Sequence, residues 1–142
     1  MTNPNLLLVY PENIKHVWEE VDPLIEKALE HSAGGMDVTD ALKLLLEEDL
    51  ELWVGVDEDS EDILCALLTE IVAYPNKTVL RILTFATESG WDLDLWMECL
   101  PVLEAFAVHM KCDALEAWTR KGLAKKLNWE HEYSIITKTI AI

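Results

Sequence analysis

The sequence predicts an α/β (α+β) domain in which a central mixed sheet of about six strands is covered by helices on both faces. Two almost wholly apolar runs, residues 63–73 and 78–86, flank a short turn at residues 74–76. Such runs are typical of strands in the middle of a sheet that is covered on both sides. Residues 92–110 then repeat apolar side chains at the three-and-four spacing of a helix. This order of strand, turn, strand and long helix is the strongest indication of the fold class.

The first half of the chain predicts one strand, three helical pieces and a second strand. Residues 5–10 form a short apolar run, and a helical spacing of apolar residues follows Pro11. Asp22 and Pro23 are predicted to restart this helix, with Asp22 as the N-cap. A further helix over residues 38–48 would be capped by Asp37 or Thr39, and residues 52–56 form the next predicted strand.

The second half predicts the helix that covers one face of the sheet. Pro101 lacks a backbone N–H and should kink the helix or divide it into two pieces. Residues 112–118, 120–127 and 132–140 are predicted as a strand, a short helix and a final strand. The long helix should contact the sheet through Trp96, Leu100, Leu103 and Phe106, against Leu80, Ile82 and Leu83.

Composition indicates one domain over residues 1–142, long enough to bury a single core. No apolar run approaches the roughly 18 residues that would span a membrane. The first residues lack the basic and apolar regions of a signal peptide. We therefore expect no membrane association and a location in the cytoplasm, or inside a particle assembled there.

The charge is strongly acidic, with 27 Asp and Glu against 11 Lys and Arg and a formal net charge of −16. A surface of this kind repels phosphate backbones, so we expect no direct binding of nucleic acid. Solubility alone explains such a charge. The alternatives are an acidic face that docks a basic protein partner and, more remotely, an inhibitor that mimics the charge of DNA.

No metal site is predicted. The three cysteines are scattered within apolar patterns, which is typical of reduced core residues. Glu12, His16 and Glu20 fall on one helix face, and a solvated helix surface explains them better than a metal. The acidic run of residues 57–62 lacks the glycine and distal glutamate of a calcium loop, and it is predicted to be the exposed tip of a hairpin.

The order of elements resembles the layout of the GNAT N-acetyltransferases over nearly the whole chain. Residues 112–118 followed by 122–129 look like the family's fifth strand, fourth helix and closing Gly-Phe turn. The chain is also similar to small GNAT-like proteins of tailed bacteriophages, through Ala73-Tyr74-Pro75, Leu100-Pro101-x-Leu103-Glu104, Cys112-Asp113 and a basic helix before the last strand.

The resemblance implies an acetyl-CoA site in the loop before the long helix, residues 87–91. In the family this loop is glycine-rich because backbone N–H groups there hold the pyrophosphate. Here it contains a single glycine and no basic residue, and Glu88, Asp92 and Asp94 lie beside it. If acetyl-CoA binds at all, the resemblance implies contacts from Phe85, Thr87, Ser89 and Gly90.

The resemblance also implies a general acid, a tyrosine four residues before the Gly-Phe turn, that reprotonates the departing thiolate. Ala124 stands at that position, so no catalytic residue is assigned. Tyr133, on the next predicted strand, and Glu70 are the remaining candidates. Glu70 and Arg81 interrupt two apolar strands, and a structural pair between them is the preferred interpretation.

We therefore expect a GNAT-fold protein with a degenerate acyl-CoA loop and no cofactor. It would be a non-catalytic, phage-encoded virion or assembly protein that works through contacts with a protein partner. The alternative is an active acetyl-CoA-dependent N-acetyltransferase acting on an amine. The sequence determines neither the partner nor the oligomeric state.

Overall fold

The computed structural model describes residues 4–30, 35–90, 92–117, 127–130 and 138–140. These described residues contain five strands and three α-helices of a turn or more, with a 3-10 turn at Pro11–Asn13 before the first helix. Their bounds are β1 Pro4–Val9, α1 Ile14–Leu29, α2 Val38–Leu46, β2 Glu51–Asp57, β3 Ile63–Ala73, β4 Thr78–Thr87, α3 Leu93–His109 and β5 Ala114–Ala117.

The described strands form one mixed sheet in the order β1-β2-β3-β4-β5. The first four strands are antiparallel neighbours, whereas β5 runs parallel to β4. A parallel pair needs a crossover connection, and α3 provides it. The mixed α/β sheet is thus confirmed, with five strands among the described residues where about six were predicted. Most of the predicted last strand, residues 132–140, lies outside the described residues, and its final part, residues 138–140, is not in a strand.

Helices cover both faces of the sheet, as predicted. On one face α1 and α2 enclose a core that includes Val21, Ile25 and Leu52. On the other face α3 packs through Trp96, Leu100 and Leu103 onto a second core. Because each side of the sheet is buried, the central strands are apolar at nearly every position.

The prediction that Asp22 and Pro23 restart the first helix is wrong. The helix α1 is continuous, with Pro23 inside it. A proline within a helix removes one backbone hydrogen bond. Val21 and Ile25, which flank Pro23, are both fully buried, so core packing on either side holds the helix together through the proline.

For α2, the prediction of an Asp37 N-cap is confirmed by a hydrogen bond of 2.8 Å from the backbone N–H of Asp40 to Asp37 Oδ1.

Pro101 does not divide α3 into two pieces. The helix extends from Leu93 to His109 with Pro101 on its exposed side. Leu100 and Leu103 are buried on either side of the proline. Their packing against the sheet keeps the two halves in one helix.

The predicted face of α3 is confirmed, with one correction among its contacts on β4. Leu80 and Ile82 pack against α3, but Leu83 packs on the opposite face, beside α1 and α2. Successive strand residues point to opposite faces, so Leu83 cannot share a face with Ile82. The register also shifts here, because Leu68 pairs with Thr84 while Thr69 pairs with Ile82. This β-bulge returns Phe85 to the α3 side.

Residues 58–62 of the acidic run form the exposed connection between β2 and β3, as predicted for a hairpin tip, and Asp57 is the last residue of β2. The backbone N–H of Asp57 donates to the carbonyl of Asp62 at 2.9 Å and closes the turn. None of the described helices combines the length and apolar character needed to cross a membrane.

Candidate functional site

The loop between β4 and α3 is closed by its own hydrogen bonds. The hydroxyl of Thr87 donates to the carbonyl oxygen of Gly90, and the Gly90 N–H donates to the Thr87 carbonyl at 3.3 Å. Thr87 is buried, whereas Ser89 is exposed. Gly90 has a φ of +97°, a conformation that favours glycine. The single glycine of this loop therefore serves the turn itself.

Phe85 lies on the α3 side of β4 and contacts the helix. Its ring meets that of Trp96 edge to face, with the ring centroids 5.5 Å apart. An aromatic pair of this geometry stabilises core packing. Of the four cofactor candidates, Phe85, Thr87 and Gly90 thus have internal partners in the fold.

The N-terminus of α3 carries its own carboxylate. Asp92 is the N-cap, and its Oδ1 accepts from the backbone N–H of Leu95 at 3.1 Å. Asp94 adds a second acid in the first turn. The unpaired N–H groups and the positive end of the helix dipole make a helix N-terminus attractive to anions. Here the Asp92 carboxylate already accepts a hydrogen bond from one of these N–H groups and places a negative charge at the end of the helix.

Among the described residues, the parallel pairing of β4 with β5 runs from Val79 with Ala114 to Ile82 with Ala117. Its last described pair lies at the β-bulge next to Ile82. β4 itself continues to Thr87, at the start of the loop.

Glu70 lies in a network of side chains around Arg81, on the sheet face opposite α3. Arg81 Nη1 lies 3.0 Å from Glu70 Oε1, and Arg81 Nε lies 2.8 Å from Glu116 Oε1. Arg81 Nη2 donates to the hydroxyl oxygen of Tyr74 at 2.7 Å, and that hydroxyl is 3.1 Å from both Glu116 oxygens. The predicted pairing of Glu70 with Arg81 is confirmed.

The charge of Arg81 is stabilised despite its burial. Burial by itself would lower the pKa of Arg81, but the hydrogen bonds that it donates to Glu116 and Tyr74 raise that pKa above its ordinary value. Tyr74 and Glu116 are separated by 42 residues in the chain, so nothing in the local sequence identifies them as partners. This network links β3, β4 and β5.

Tyr133, the other catalytic candidate, and Ala124 lie outside the described residues.

A second polar cluster, on the α3 face, was not predicted from the sequence. Trp53 Nε1 donates to Thr69 Oγ1 at 3.0 Å, and the Thr69 hydroxyl donates to Glu51 Oε1 at 2.9 Å. Thr69 is fully buried. Thr69 pairs with Glu51 on one side and with Ile82 on the other. Glu51 therefore lies in the row of residues that crosses the sheet at the β-bulge.

Glu51 is the most strongly perturbed carboxyl group for which a value is resolved among the described residues. Burial raises the pKa of Glu51 from 4.5 to about 7; the Thr69 hydrogen bond opposes this rise, and the nearby charge of Glu70 adds to it. A carboxyl group that titrates near neutrality can accept a proton at physiological pH. The available sequence signal was the two-residue spacing of Glu51 and Trp53, which puts an acid on a core face of β2.

This raised pKa makes the stability contribution of Glu51 depend on pH. The folded state holds the proton more tightly than the unfolded state, so the contribution is greatest below pH 4.5 and is lost as the pH rises through about 7. We expect Glu51→Gln to raise the free energy of unfolding at pH 8 by on the order of 1–3 kcal/mol, allowing for residual solvent contact.

The measurement is urea unfolding of both proteins at pH 4 and pH 8. The difference between Glu51→Gln and the parent should be small at pH 4, because the parent carboxyl is then protonated. Glu12→Gln, at an exposed acid, is the matched control and should show little difference at either pH. A Glu51→Gln effect that is equal at both pH values would contradict the expected titration.

No metal centre is found in the described part of the chain: it holds no group of three or more His, Cys, Asp or Glu side chains placed to bind an ion. Cys65 and Cys99 are free and buried, as predicted for core thiols, with their sulfur atoms 3.9 Å apart. Gly55 is required beside them, since a Cβ there would lie 2.5 Å from the sulfur of Cys65.

No protein-family model and no curated protein sequence matches the chain. Several solved structures share its fold. A ribosomal-protein-alanine N-acetyltransferase from Brucella melitensis biovar Abortus 2308 is 12% identical with a TM-score of 0.69, over 96% of this chain and 99% of that one. An aminoglycoside acetyltransferase from an uncultured soil metagenomic sample, in complex with sisomicin, is 13% identical with a TM-score of 0.70, over 97% of each chain.

A GNAT family acetyltransferase from Staphylococcus aureus is similar over 99% of this chain and all of its own, with 15% identity and a TM-score of 0.64. These likenesses extend over whole domains. The chain therefore has the GNAT fold that its order of elements predicts. Fold alone does not establish chemistry, since one fold supports many functions.

Proposed function

We propose that this chain is a GNAT-fold protein that does not transfer acyl groups from CoA and that works by binding a protein partner. The observation that carries the proposal is the Asp92 carboxylate at the N-terminus of α3, 3.1 Å from the backbone N–H of Leu95. A CoA pyrophosphate bound in the manner of the family would need the same end of the helix.

The charges around the loop also oppose a diphosphate. Glu88 and Asp94 flank Asp92, and the whole chain has a net charge of −16. Like charges in close proximity disfavour binding unless a cation intervenes. The loop supplies a single glycine, whereas a cradle needs several positions without a side chain to let the backbone approach phosphate.

Apolar side chains on the outer surface support a protein partner. Leu7 on β1 is 46% exposed, and Met97 and Val108 on α3 are 52% and 76% exposed. Large apolar side chains in such positions are available for contact with a partner. The similarity of short motifs to small phage proteins supports a role in the virion or its assembly, with the protein in the host cytoplasm or in the particle.

An active N-acetyltransferase is the second candidate, and Glu51 is the observation that favours it. Its carboxyl group has a pKa of about 7 and lies in line with the β-bulge. A base of this strength suits removal of a proton from an ammonium substrate. Under this alternative, acetyl-CoA is the cofactor and Glu51 the base.

Calorimetric titration with acetyl-CoA separates the two candidates. We expect no binding tighter than about millimolar, equivalent to a binding free energy weaker than about −4 kcal/mol. A micromolar dissociation constant would overturn the proposal and favour the enzyme.

A variant tests whether charge is the obstacle. The triple substitution Glu88→Gln, Asp92→Asn and Asp94→Asn removes three negative charges, and asparagine at position 92 still caps the helix. We expect the triple variant to bind acetyl-CoA more tightly than the parent. The matched control Glu12→Gln, Glu19→Gln and Glu26→Gln removes the same charge from exposed positions of the N-terminal region and should not change binding.

A further inference from the structure

An open groove of about 420 Å³ lies between α1 and the edge of the sheet, on the face opposite α3. Its floor is aliphatic, and its polar lining includes two carboxylates. The lining comprises Leu7, Leu8, Val9, Asn13, His16, Val17, Glu20, Val54, Val56, Glu61 and Ile63.

The groove runs beside an edge strand. Of the described strands, β1 lies at one end of the sheet and pairs on one side, with β2. Leu7, on β1, is 46% exposed although it is a large aliphatic residue. The outward backbone groups of an edge strand can pair with an extended segment of another chain.

The charged rim selects among possible occupants. His16 and Glu20 are four residues apart on α1 and lie on the same face of the helix. Glu61 lies on the other side, in the acidic connection between β2 and β3. The carboxylates of Glu20 and Glu61 complement a cationic segment, whereas they repel nucleic acid and a second copy of this acidic chain.

We propose that the groove binds an extended basic segment of a protein partner, which adds as a strand along β1 with aliphatic side chains in the groove and Lys or Arg facing Glu20 and Glu61. Glu20 and Glu61 line the groove on the same face as its aliphatic floor. The side chains at i, i+2 and i+4 of an added strand all point to that face, so they can be aliphatic over the floor and Lys or Arg next to the two carboxylates. This inference rests on the proposed function, for which it names the surface and the chemistry of the partner.

The test uses short acetylated peptides and the ¹⁵N-labelled full chain, followed by NMR. A peptide of repeated Lys-Lys-Val-Val units has lysine and valine in turn on each face, and it should bind and shift the amide signals of Leu7, Leu8 and Val9. A peptide of repeated Glu-Glu-Val-Val units should not bind. The lysine–valine peptide with every backbone amide N-methylated has the same charge but no backbone N–H to donate to β1, and it should bind much more weakly.

Charge reversal tests whether the carboxylates at the rim of the groove attract the basic peptide. The double substitution Glu20→Lys and Glu61→Lys should weaken the lysine–valine peptide about tenfold. The matched control Glu98→Lys and Glu104→Lys makes the same charge change on exposed positions of α3 and should weaken it much less. Raising the salt concentration should reduce the difference between the two variants, because exposed charges are screened.

Three results would overturn the inference: no binding of the lysine–valine peptide at millimolar concentration, equal binding of the acidic peptide, or signal shifts on α3 instead of β1. The acetyl-CoA titration is an independent measurement. Micromolar acetyl-CoA binding together with shifts on β1 would refute the proposed function and leave the groove as a peptide site. If neither acetyl-CoA binding nor a shift on β1 is seen, the inference that the groove binds a peptide is refuted, and the proposed function is not.

Discussion

Replacing Leu103 with alanine should lower the free energy of unfolding by about 2–5 kcal/mol, the usual range for a buried leucine. Leu103 is fully buried, in the core that α3 forms with Leu80 and Ile82. The substitution removes apolar contacts and leaves a cavity, because a packed sheet and helix relax only partly around the missing atoms.

The measurement is equilibrium urea unfolding of the parent and the variant. Val108→Ala is the matched control on the same helix, because Val108 is mostly exposed, and it should change stability by less than about 0.5 kcal/mol. An equally small change for Leu103→Ala would show that α3 does not pack through this face.

Replacing Arg81 with methionine should lower the free energy of unfolding by about 2–4 kcal/mol. The variant leaves Glu70 and Glu116 without their cationic partner at largely buried positions, with 29% and 17% of their side chains exposed. Removing one partner of a buried pair is strongly destabilising, and the remaining exposure reduces the effect below its full range of about 3–5 kcal/mol.

A second substitution tests this origin. Glu116→Gln in the Arg81→Met background should recover part of the lost stability, because it removes one of the two negative charges that Arg81 neutralised while keeping a hydrogen-bond acceptor for Tyr74. Lys27→Met, at an exposed position of α1, is the control for loss of a cation and should have little effect. Additive losses in the double variant would show that the network is not coupled.

Much of the fold is predictable because its signals are local. The apolar runs that form β3 and β4 and the helical spacing within α3 each arise within a short segment. The acidic tip between β2 and β3 is also local, since charge and polarity make those residues a solvated turn. The pairing of Glu70 with Arg81 follows from their positions on two strands joined by a short turn.

The sequence misled where core packing outweighs a local preference. Pro23 predicts a restart of α1, and Pro101 predicts a kink or a division of α3, yet neither proline divides its helix. Buried residues on both sides of each proline stabilise the continuous helix. The error at Leu83 has a simpler cause, since the alternation of strand side chains already puts it opposite Ile82.

By itself, the sequence determined the class of fold, the helix face that covers the sheet and the acidic, glycine-poor loop before α3. The tertiary structure alone decided which polar groups from distant parts of the sequence meet. Thr69 and Glu51 are 18 residues apart, and Tyr74 and Glu116 are 42 apart. Only the sheet register brings these groups within hydrogen-bonding distance. The raised pKa of Glu51 and the groove beside β1 arise in the same way, because burial and shape depend on elements that are distant along the chain.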